Sequence, residues 1–153
     1  MRFTLDSNVL VYAAQRGDAR HELAAAILRR AVHGDCVQTL QSLGECFNAL
    51  CRKRGFSKRE ARTIIGDYQD LFDVVIAAEV GDLLEALRAA AIHGFQYWDA
   101  MLWATARRAG CRLILSEDGQ DGRDLEGVTF INPFNPANAK LIDLALPRLE
   151  PAP

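Results

Sequence analysis

The stretch Phe3-Thr4-Leu5-Asp6-Ser7-Asn8 opens the chain with a short apolar segment that ends on a carboxylate. Residues 3–5 predict a first β-strand, and residues 8–14 predict a short helix directly after it. A strand that runs straight into a helix is typical of proteins in which parallel strands alternate with helices. The rest of the sequence repeats this alternation.

Further strands are predicted where short apolar or β-branched runs lie between helical patterns. These runs are residues 36–39, 72–77, 112–116 and 128–131. The helices between them are predicted to begin after Asp18, at a capping box over 42–45, at Ser57, near Val80 and at Trp98. A weak final helix follows the last strand. The pattern predicts one domain built on a parallel sheet that helices cover on both faces.

Composition limits the possible classes of function. The 153 residues carry a formal net charge of −2, but residues 1–62 hold 11 Lys/Arg against 6 Asp/Glu, and residues 63–153 hold 7 against 14. Such asymmetry is typical of a nucleic-acid face beside an acidic pocket, or of ordinary solvated helix faces. No stretch approaches the roughly 18 apolar residues of a membrane span, and none resembles a secretory signal. We therefore expect no membrane association and a cytoplasmic protein.

Four carboxylates follow the predicted strands or open the helices beside them. They are Asp6, Glu45, Asp99 and Asp118. In a parallel sheet with right-handed crossovers, the carboxyl ends of the strands share one edge, where ligands of open α/β sheets bind. Crowded carboxylates raise one another's pKa, and a hard divalent cation such as Mg²⁺ relieves that repulsion. The sequence therefore predicts a metal site at this edge.

Each carboxylate also has a structural interpretation. Asp6 could cap the first helix, and Glu45 completes a capping box that starts at Ser42. A carboxylate such as Asp99 near a helix start is favoured by the helix dipole, and Asp118-Gly119 is typical of a turn. The shared location at one sheet edge favours the metal site. The apolar sequence around Asp99 favours it further, because a carboxylate without a partner is costly in such surroundings.

Four short stretches carry a resemblance to a known family. They are Asp6-Ser7-Asn8, Ser42-Leu43-Gly44-Glu45, Tyr97-Trp98-Asp99-Ala100 and Ser116-Glu117-Asp118. In this order and spacing the chain resembles the PIN domain, and most closely the VapC-type toxins of bacterial type II toxin–antitoxin systems. The resemblance covers residues 1–145, which we interpret as a single PIN-like nuclease domain, with 146–153 as a C-terminal tail.

The resemblance implies a three-layer α/β/α sandwich with a central parallel sheet of four to five strands. It implies a metal-dependent endoribonuclease that holds Mg²⁺ or Mn²⁺ and leaves a 5′-phosphate and a 3′-hydroxyl on the cleaved RNA. The implied partners are the RNA substrate, a second copy of the chain in a homodimer, and a cognate VapB-like antitoxin that fills a groove near the active site. Ile64-Ile65 and Leu141-Ile142 are candidate dimer contacts.

Residue by residue, the resemblance assigns catalysis and metal binding to Asp6, Glu45, Asp99 and Asp118, with Asn8 and Ser116 as supporting polar neighbours. We expect Asp6 and Asp99 to bind the metal most directly, and Glu45 and Asp118 to complete its surroundings through water or with a second ion. The fourth acid varies in this family. Three other acids lie near it, namely Glu117, Asp121 and Asp124.

An acidic pocket repels RNA, so we expect a basic surface to attract the strand. The densest basic cluster is Arg52, Lys53, Arg54, Lys58, Arg59 and Arg62, which we call the basic turn. Alternatively, these residues form an ordinary solvated surface that keeps the protein soluble. Arg16 and Arg20 could also reach the groove. Phe95, Tyr97 and Trp98 could stack bases, although aromatic residues beside an apolar helix are more often core.

Other functions remain open at this point. The chain could be a PIN-type nuclease of RNA processing or DNA repair without an antitoxin, or a module that binds metal or a partner without catalysis. A phosphotransferase of the Asp-x-Asp type is disfavoured because Asn8 stands at the third position. Nucleotide cofactors are disfavoured because the sequence has neither a Gly-x-Gly-x-x-Gly stretch nor a phosphate-binding P-loop.

Overall fold

The computed structural model of this chain describes residues 1–149, and in that range strands and helices alternate as predicted. The strands are β1 (Phe3–Leu5), β2 (Val37–Thr39), β3 (Val74–Ile76), β4 (Leu113–Leu115), β5 (Asp124–Leu125) and β6 (Val128–Ile131). The helices are α1 (Ser7–Ala14), α2 (His21–Ala31), α3 (Leu40–Lys53), α4 (Lys58–Leu71), α5 (Val80–His93), α6 (Tyr97–Arg108) and α7 (Ala139–Ala145). A 3₁₀ turn at Pro136–Asn138 precedes α7.

The strands form a largely parallel sheet. β1 pairs in parallel with β4, and β4 pairs in parallel with β6. β2 and β3 form a second parallel pair, which a bridge between Phe3 and Cys36 joins to β1. The parallel sheet expected from the sequence is therefore confirmed. β5 was not predicted: it is a two-residue strand that pairs antiparallel with β6, too short to carry an alternating pattern.

Two apolar clusters give the molecule its layers. One lies under α1 to α4 and α7, and the other joins α5 and α6 to the opposite face of the sheet. The side chain of Trp103 is fully buried in the second cluster and donates its indole N–H to the carbonyl of Leu125 at 3.0 Å. Helices on both faces of a central sheet confirm the predicted α/β/α sandwich.

Two helix starts differ from the sequence prediction. α3 begins three residues early, because the side chain of Thr39 caps it by accepting from the backbone N–H of Ser42 at 3.1 Å. The predicted capping box from Ser42 to Glu45 is therefore wrong, and Glu45 lies in the second helical turn. Asp18 does not cap α2, since its carboxylate accepts from the backbone and side chain of Arg20.

The C-terminal segment contacts the domain beyond α7. Leu146 is buried, and the guanidinium of Arg30 donates to the carbonyls of Leu146 and Pro147 at 3.0 Å each. The boundary at residue 145 remains a prediction, and residues 150–153 of the predicted tail lie outside the described residues. No helix within residues 1–149 is long and apolar enough to cross a membrane.

Candidate active site

The four predicted carboxylates converge at the edge where β1 and β4 end. Asp6 caps α1 directly after β1, Glu45 lies on α3, Asp99 lies in the first turn of α6, and Asp118 follows β4. Burial is the main cause that raises the pKa of Asp6 and of Asp99, and their charges also act on one another: Glu45 and Asp99 raise the pKa of Asp6, and Asp118 and Glu45 raise the pKa of Asp99. We call these four residues the acidic cluster.

Asp6 is buried and accepts hydrogen bonds at both carboxylate oxygens. Oδ1 accepts from the backbone N–H of Ser7 at 2.6 Å, which is the capping role allowed for by the sequence. Oδ2 accepts from the hydroxyl of Ser116 at 2.6 Å and from the amide of Asn8 at 3.2 Å. The fold therefore fixes the orientation of this carboxylate through residues from two different parts of the chain.

Asn8 and Ser116 also hold the loop that carries Asp118. The amide nitrogen of Asn8 lies 3.4 Å from Oδ2 of Asp118. Oδ1 of Asn8 accepts from the backbone N–H of Glu117 at 3.2 Å. The hydroxyl oxygen of Ser116 accepts from the backbone N–H groups of Asp118 and Gly119 at 3.2 Å each. The structure thus brings both supporting polar residues into contact with the acidic cluster.

Glu45 is held by two residues that the sequence analysis did not single out. The hydroxyl of Ser7 donates to Oε2 at 3.3 Å, and the amide of Gln41 donates to Oε1 at 2.8 Å. Gln41 also donates to the carbonyl of Trp98 at 2.9 Å, which links α3 to the start of α6. The spacing of four residues between Gln41 and Glu45 would have revealed this contact if the true start of α3 had been known.

Asp99 differs from the other three because its carboxylate accepts no hydrogen bond within residues 1–149. It is half-buried and lines a cavity of about 390 Å³ together with Asp118. Burial raises its pKa first, and the neighbouring negative charges of Asp118 and Glu45 raise it further. An unpartnered carboxylate beside a cavity is available to a ligand.

The electrostatics of Asp6 indicate a site that favours a positive charge. Burial raises the pKa of Asp6 from 3.8 to about 6, and the charges of Glu45 and Asp99 act in the same direction, against the hydrogen bonds from Ser116 and Ser7. A cation at this edge would reverse these shifts. Every side-chain atom of the acidic cluster that could bind a metal is a carboxylate oxygen. Mg²⁺ and Mn²⁺ prefer such oxygen ligands.

The carboxylates do not form a ready-made chelating group. Across the part of the chain that the structure describes, no set of three or more His, Cys, Asp or Glu side chains is arranged to hold a metal ion on its own. Mg²⁺ commonly uses only one or two carboxylates and keeps several waters, so an arrangement of spaced carboxylates still fits it.

The other acids near Asp118 are engaged elsewhere. Glu117 accepts from the hydroxyl of Tyr12 and from the guanidinium of Arg20, the latter at 2.6 Å. Asp121 accepts from the backbone of Asn132 and from two further asparagine side chains, and Asp124 accepts from residues 127 and 129. Of these four acids, only Asp118 contacts Asn8 through its carboxylate and lines the cavity with Asp99.

The basic turn lies at the opposite end of α3 from Glu45. At a rise of about 1.5 Å per residue, Lys53 lies roughly 12 Å along the helix axis from Glu45. Arg52, Lys53, Lys58 and Arg59 are exposed, whereas Arg54 is partly buried and donates to Asp18 at 3.3 Å. Within residues 1–149, no hydrogen bond or ion pair joins the basic turn to a carboxylate of the acidic cluster, and its role in RNA binding remains a prediction.

Trp98 is on the surface, contrary to the expectation of core packing. Its side chain is 63% exposed, and it contacts the ring of Tyr97, which is also exposed, with 4.9 Å between ring centroids. Residues 100–106 of α6 are buried as predicted. The apolar face of α6 therefore begins only after Asp99, which leaves two aromatic rings beside the acidic cluster.

Comparisons with known proteins match this geometry. Residues 3–121 match the sequence model of the PIN domain family, while no curated protein sequence matches the chain significantly. The fold is similar to Mycobacterium tuberculosis VapC20, a toxin that cleaves the sarcin–ricin loop, with a TM-score of 0.66 and 21% identity over 77% of this chain and 91% of that chain.

Two solved complexes show the same fold. A toxin–antitoxin complex from Klebsiella pneumoniae has a TM-score of 0.62 and 15% identity over 86% of this chain and 97% of that chain. VapBC2 from Rickettsia felis, bound to a DNA fragment from its promoter, has a TM-score of 0.61 and 11% identity over 85% of this chain and 97% of that chain. Identities this low establish the fold alone. The family match covers residues 3–121, well over half of the sequence, and the chain therefore belongs to the PIN domain family.

Proposed function

We propose that this chain is a metal-dependent endoribonuclease that acts as the toxin of a type II toxin–antitoxin pair. The observation that carries the proposal is the acidic cluster itself: four carboxylates from separate parts of the sequence meet at one sheet edge, beside a cavity of about 390 Å³. Membership of the PIN domain family supports the nuclease activity.

Asp6 and Asp99 are the proposed direct ligands of Mg²⁺ or Mn²⁺, with Glu45 and Asp118 contributing through water or to a second ion. The raised pKa values of Asp6 and Asp99 support a cation here, as does the all-oxygen donor set. Such an ion, when bound, supplies a nucleophile near neutral pH and stabilises the leaving oxygen of the phosphodiester.

The chain's own residues prepare the site for this chemistry. Ser116 and Asn8 hold Oδ2 of Asp6 in place, and Ser7 and Gln41 hold the carboxylate of Glu45. A carboxylate of the acidic cluster that does not bind the metal directly accepts a proton from the attacking water. The half-buried position of Asp99 limits the access of bulk water and strengthens each electrostatic interaction.

RNA as substrate and a VapB-like antitoxin as partner are proposed by similarity. The similar VapC20 is described as cleaving the sarcin–ricin loop, and the similar Klebsiella pneumoniae structure is a toxin–antitoxin complex. The exposed rings of Tyr97 and Trp98 beside the acidic cluster offer stacking surfaces for unpaired bases. A homodimer is proposed from the resemblance to the VapC-type toxins.

Cleavage of total RNA with mapping of the fragment ends tests the activity. We expect cleavage with Mg²⁺ or Mn²⁺, none after chelation by EDTA, and 5′-phosphate ends. Asp99→Asn should reduce the rate by at least about a hundredfold, because the variant loses a proposed metal ligand. Asp73→Asn is the matched control, since Asp73 is an exposed acid just before β3, away from the acidic cluster. Undiminished cleavage by a folded Asp99→Asn variant would contradict the assignment.

The alternative functions give different outcomes. A binding module would bind Mg²⁺ in calorimetry without cutting any RNA. A PIN-type nuclease without an antitoxin would cut RNA, but no small DNA-binding protein encoded beside it would suppress the cleavage. Co-expression with the product of a small adjacent reading frame therefore separates the toxin from the other nuclease.

A further inference from the structure

The wall of the cavity that holds Asp99 and Asp118 also contains a cation. Arg123, in the loop before β5, lines the same cavity as these two carboxylates, together with the Gly94–Gln96 segment between α5 and α6. Its side chain is partly buried. Composition gave no reason to select it, because Arg123 is isolated in the acidic half of the sequence.

Arg123 is held in place by contacts that leave its charge uncompensated. Its guanidinium lies 3.9 Å from the ring centroid of Phe95, donates to Oε1 of Gln120 at 2.7 Å and donates to the carbonyl of His93. None of these partners is a carboxylate. Among residues 1–149, no carboxylate lies within ion-pair distance of the Arg123 guanidinium.

The arginines on the adjacent helices differ in this respect. Arg88, Arg107 and Arg108 each form ion pairs with at least two carboxylates. Arg123 is thus an oriented cation that faces a cavity without an acidic partner. A guanidinium has five N–H donors, and the two described bonds leave others free.

We propose that Arg123 binds a backbone phosphate of the RNA strand, next to the phosphate that the acidic cluster cleaves. The inference rests on the proposed function, since it places the same strand across the same cavity. Phe95 covers one face of the guanidinium, and the N–H groups that Gln120 and His93 leave free lie along its edge. Phosphate oxygens match that edge in charge and geometry.

This contact also explains how an acidic site can accept an anionic strand. Lys53 of the basic turn lies about 12 Å along α3 from Glu45 and would attract RNA from outside the acidic cluster. Arg123 offsets the repulsion inside the cavity itself, beside Asp99 and Asp118. Its fixed position selects one path for the strand rather than attracting it diffusely.

RNA binding measured over a series of KCl concentrations tests the proposal. All proteins carry Asp99→Asn to prevent cleavage, and the probe is a short fluorescein-labelled single-stranded RNA of mixed sequence. Arg123→Gln should weaken binding about tenfold and reduce the slope of log Kd against log salt by about 0.7, the value for one phosphate contact on a single strand. Arg123→Lys should keep the slope, because it keeps the charge.

Arg112→Gln is the matched control. Arg112 is an exposed arginine immediately before β4, at the edge of the sheet opposite the acidic cluster, and its loss should leave the slope unchanged. An Arg123→Gln variant that melts like its parent and keeps the full slope would overturn the proposal. Arg123→Met keeps the apolar contact with Phe95; if both neutral variants fail to fold, Arg123 is a structural residue and the proposal is likewise overturned.

The experiments can contradict the phosphate contact of Arg123 and the endonuclease activity independently of each other. If the wild-type chain cuts RNA but Arg123→Gln keeps its slope, only the phosphate contact is wrong. If no RNA is cut under any metal condition while Arg123→Gln still lowers the slope, the phosphate contact stands and the endonuclease assignment is wrong.

Discussion

Asp6 is a buried carboxylate whose hydrogen bonds do not compensate fully for its burial, and its pKa is therefore raised to about 6. The folded chain then holds the proton at Asp6 up to about pH 6, while the unfolded chain loses it near the ordinary value of 3.8. Stability consequently falls as pH rises from about 4 to about 6, by roughly 3 kcal/mol for this group alone. Active sites commonly carry such a cost.

Asp6→Asn should therefore stabilise the metal-free protein at pH 7.5. We expect a gain of about 1 kcal/mol in the free energy of unfolding, less than the full electrostatic cost because an amide nitrogen cannot accept from Ser116 or Asn8. The gain should disappear at pH 5, where Asp6 of the folded wild type is mostly protonated. Urea denaturation in EDTA at both pH values measures it, and a variant that is less stable than wild type at pH 7.5 would contradict the prediction.

Gly119 lies at a position where the structure leaves no room for a Cβ atom. A Cβ there would lie 2.6 Å from Cδ1 of Phe130, whose side chain is fixed in the core. Gly119→Ala should cost about 1–3 kcal/mol of stability and should also slow RNA cleavage, because the loop that carries Asp118 must move. Gly66→Ala on α4 is the control, since its Cβ meets no atom within 4 Å and helix propensity predicts a gain of about 0.5–1 kcal/mol. Thermal melts of both variants check the prediction.

At the scale of elements, the start of α3 positions one side of the acidic cluster. Thr39 caps the helix, and Gln41 and Glu45 then lie one turn apart on the face towards α6. The sequence pattern predicts this helix but places its cap at Ser42 instead of Thr39. Both Thr39 and Ser42 are favoured capping residues, and local sequence does not distinguish them.

Thr39→Val tests whether the cap of α3 positions Glu45 in the acidic cluster. The variant loses the acceptor for the backbone N–H of Ser42, and we expect a loss of about 1 kcal/mol in stability together with slower cleavage, because Glu45 is displaced. Ser57→Ala removes the cap of α4, whose capping box with Glu60 is exposed, and should cost a similar amount of stability without affecting cleavage. Equal cleavage rates for the two variants would show that the start of α3 does not control Glu45.

At the scale of the whole molecule, the exposed apolar surface is concentrated on α5. Val80 is 78% exposed, Leu84 is 63% exposed and Leu87 is also exposed, at a spacing that puts them along one side of the helix. The predicted dimer contacts are poorer candidates: Ile142 is buried, and Ile64 and Ile65 pack partly against the core. The proposal of Leu141-Ile142 as an exposed stretch is wrong for Ile142.

Leu84→Glu should shift the proposed homodimer towards monomer. A charge in the middle of a buried apolar contact is strongly unfavourable, so we expect the dissociation constant to rise at least about a hundredfold. Leu23→Glu, at an exposed position on α2, is the control. Light scattering after size-exclusion chromatography measures the mass. An unchanged dimer in Leu84→Glu would place the interface elsewhere.

The sequence by itself determined the order of strands and helices and the carboxylates at their ends, because apolar runs, helical spacing and capping residues are local signals. It also located residues 100–106 as a buried helix segment and carried the resemblance to the PIN domain. These features depend on neighbours only a few positions away in the chain.

Only the tertiary structure decided which side chains share the site. It separated Asp118 from Glu117, Asp121 and Asp124, because their partners come from α1, the loop before α2 and residues 127–138, which no spacing reveals. It exposed Trp98, added β5 at the sheet edge, and placed Arg123 beside Asp99. The partners of Glu117 and the position of Arg123 depend on contacts between residues distant in sequence, whose geometry exists only once the sheet and both helix layers are assembled. The contacts of Asp124 and the pairing of β5 are local, but a two-residue strand is too short to show a pattern in the sequence.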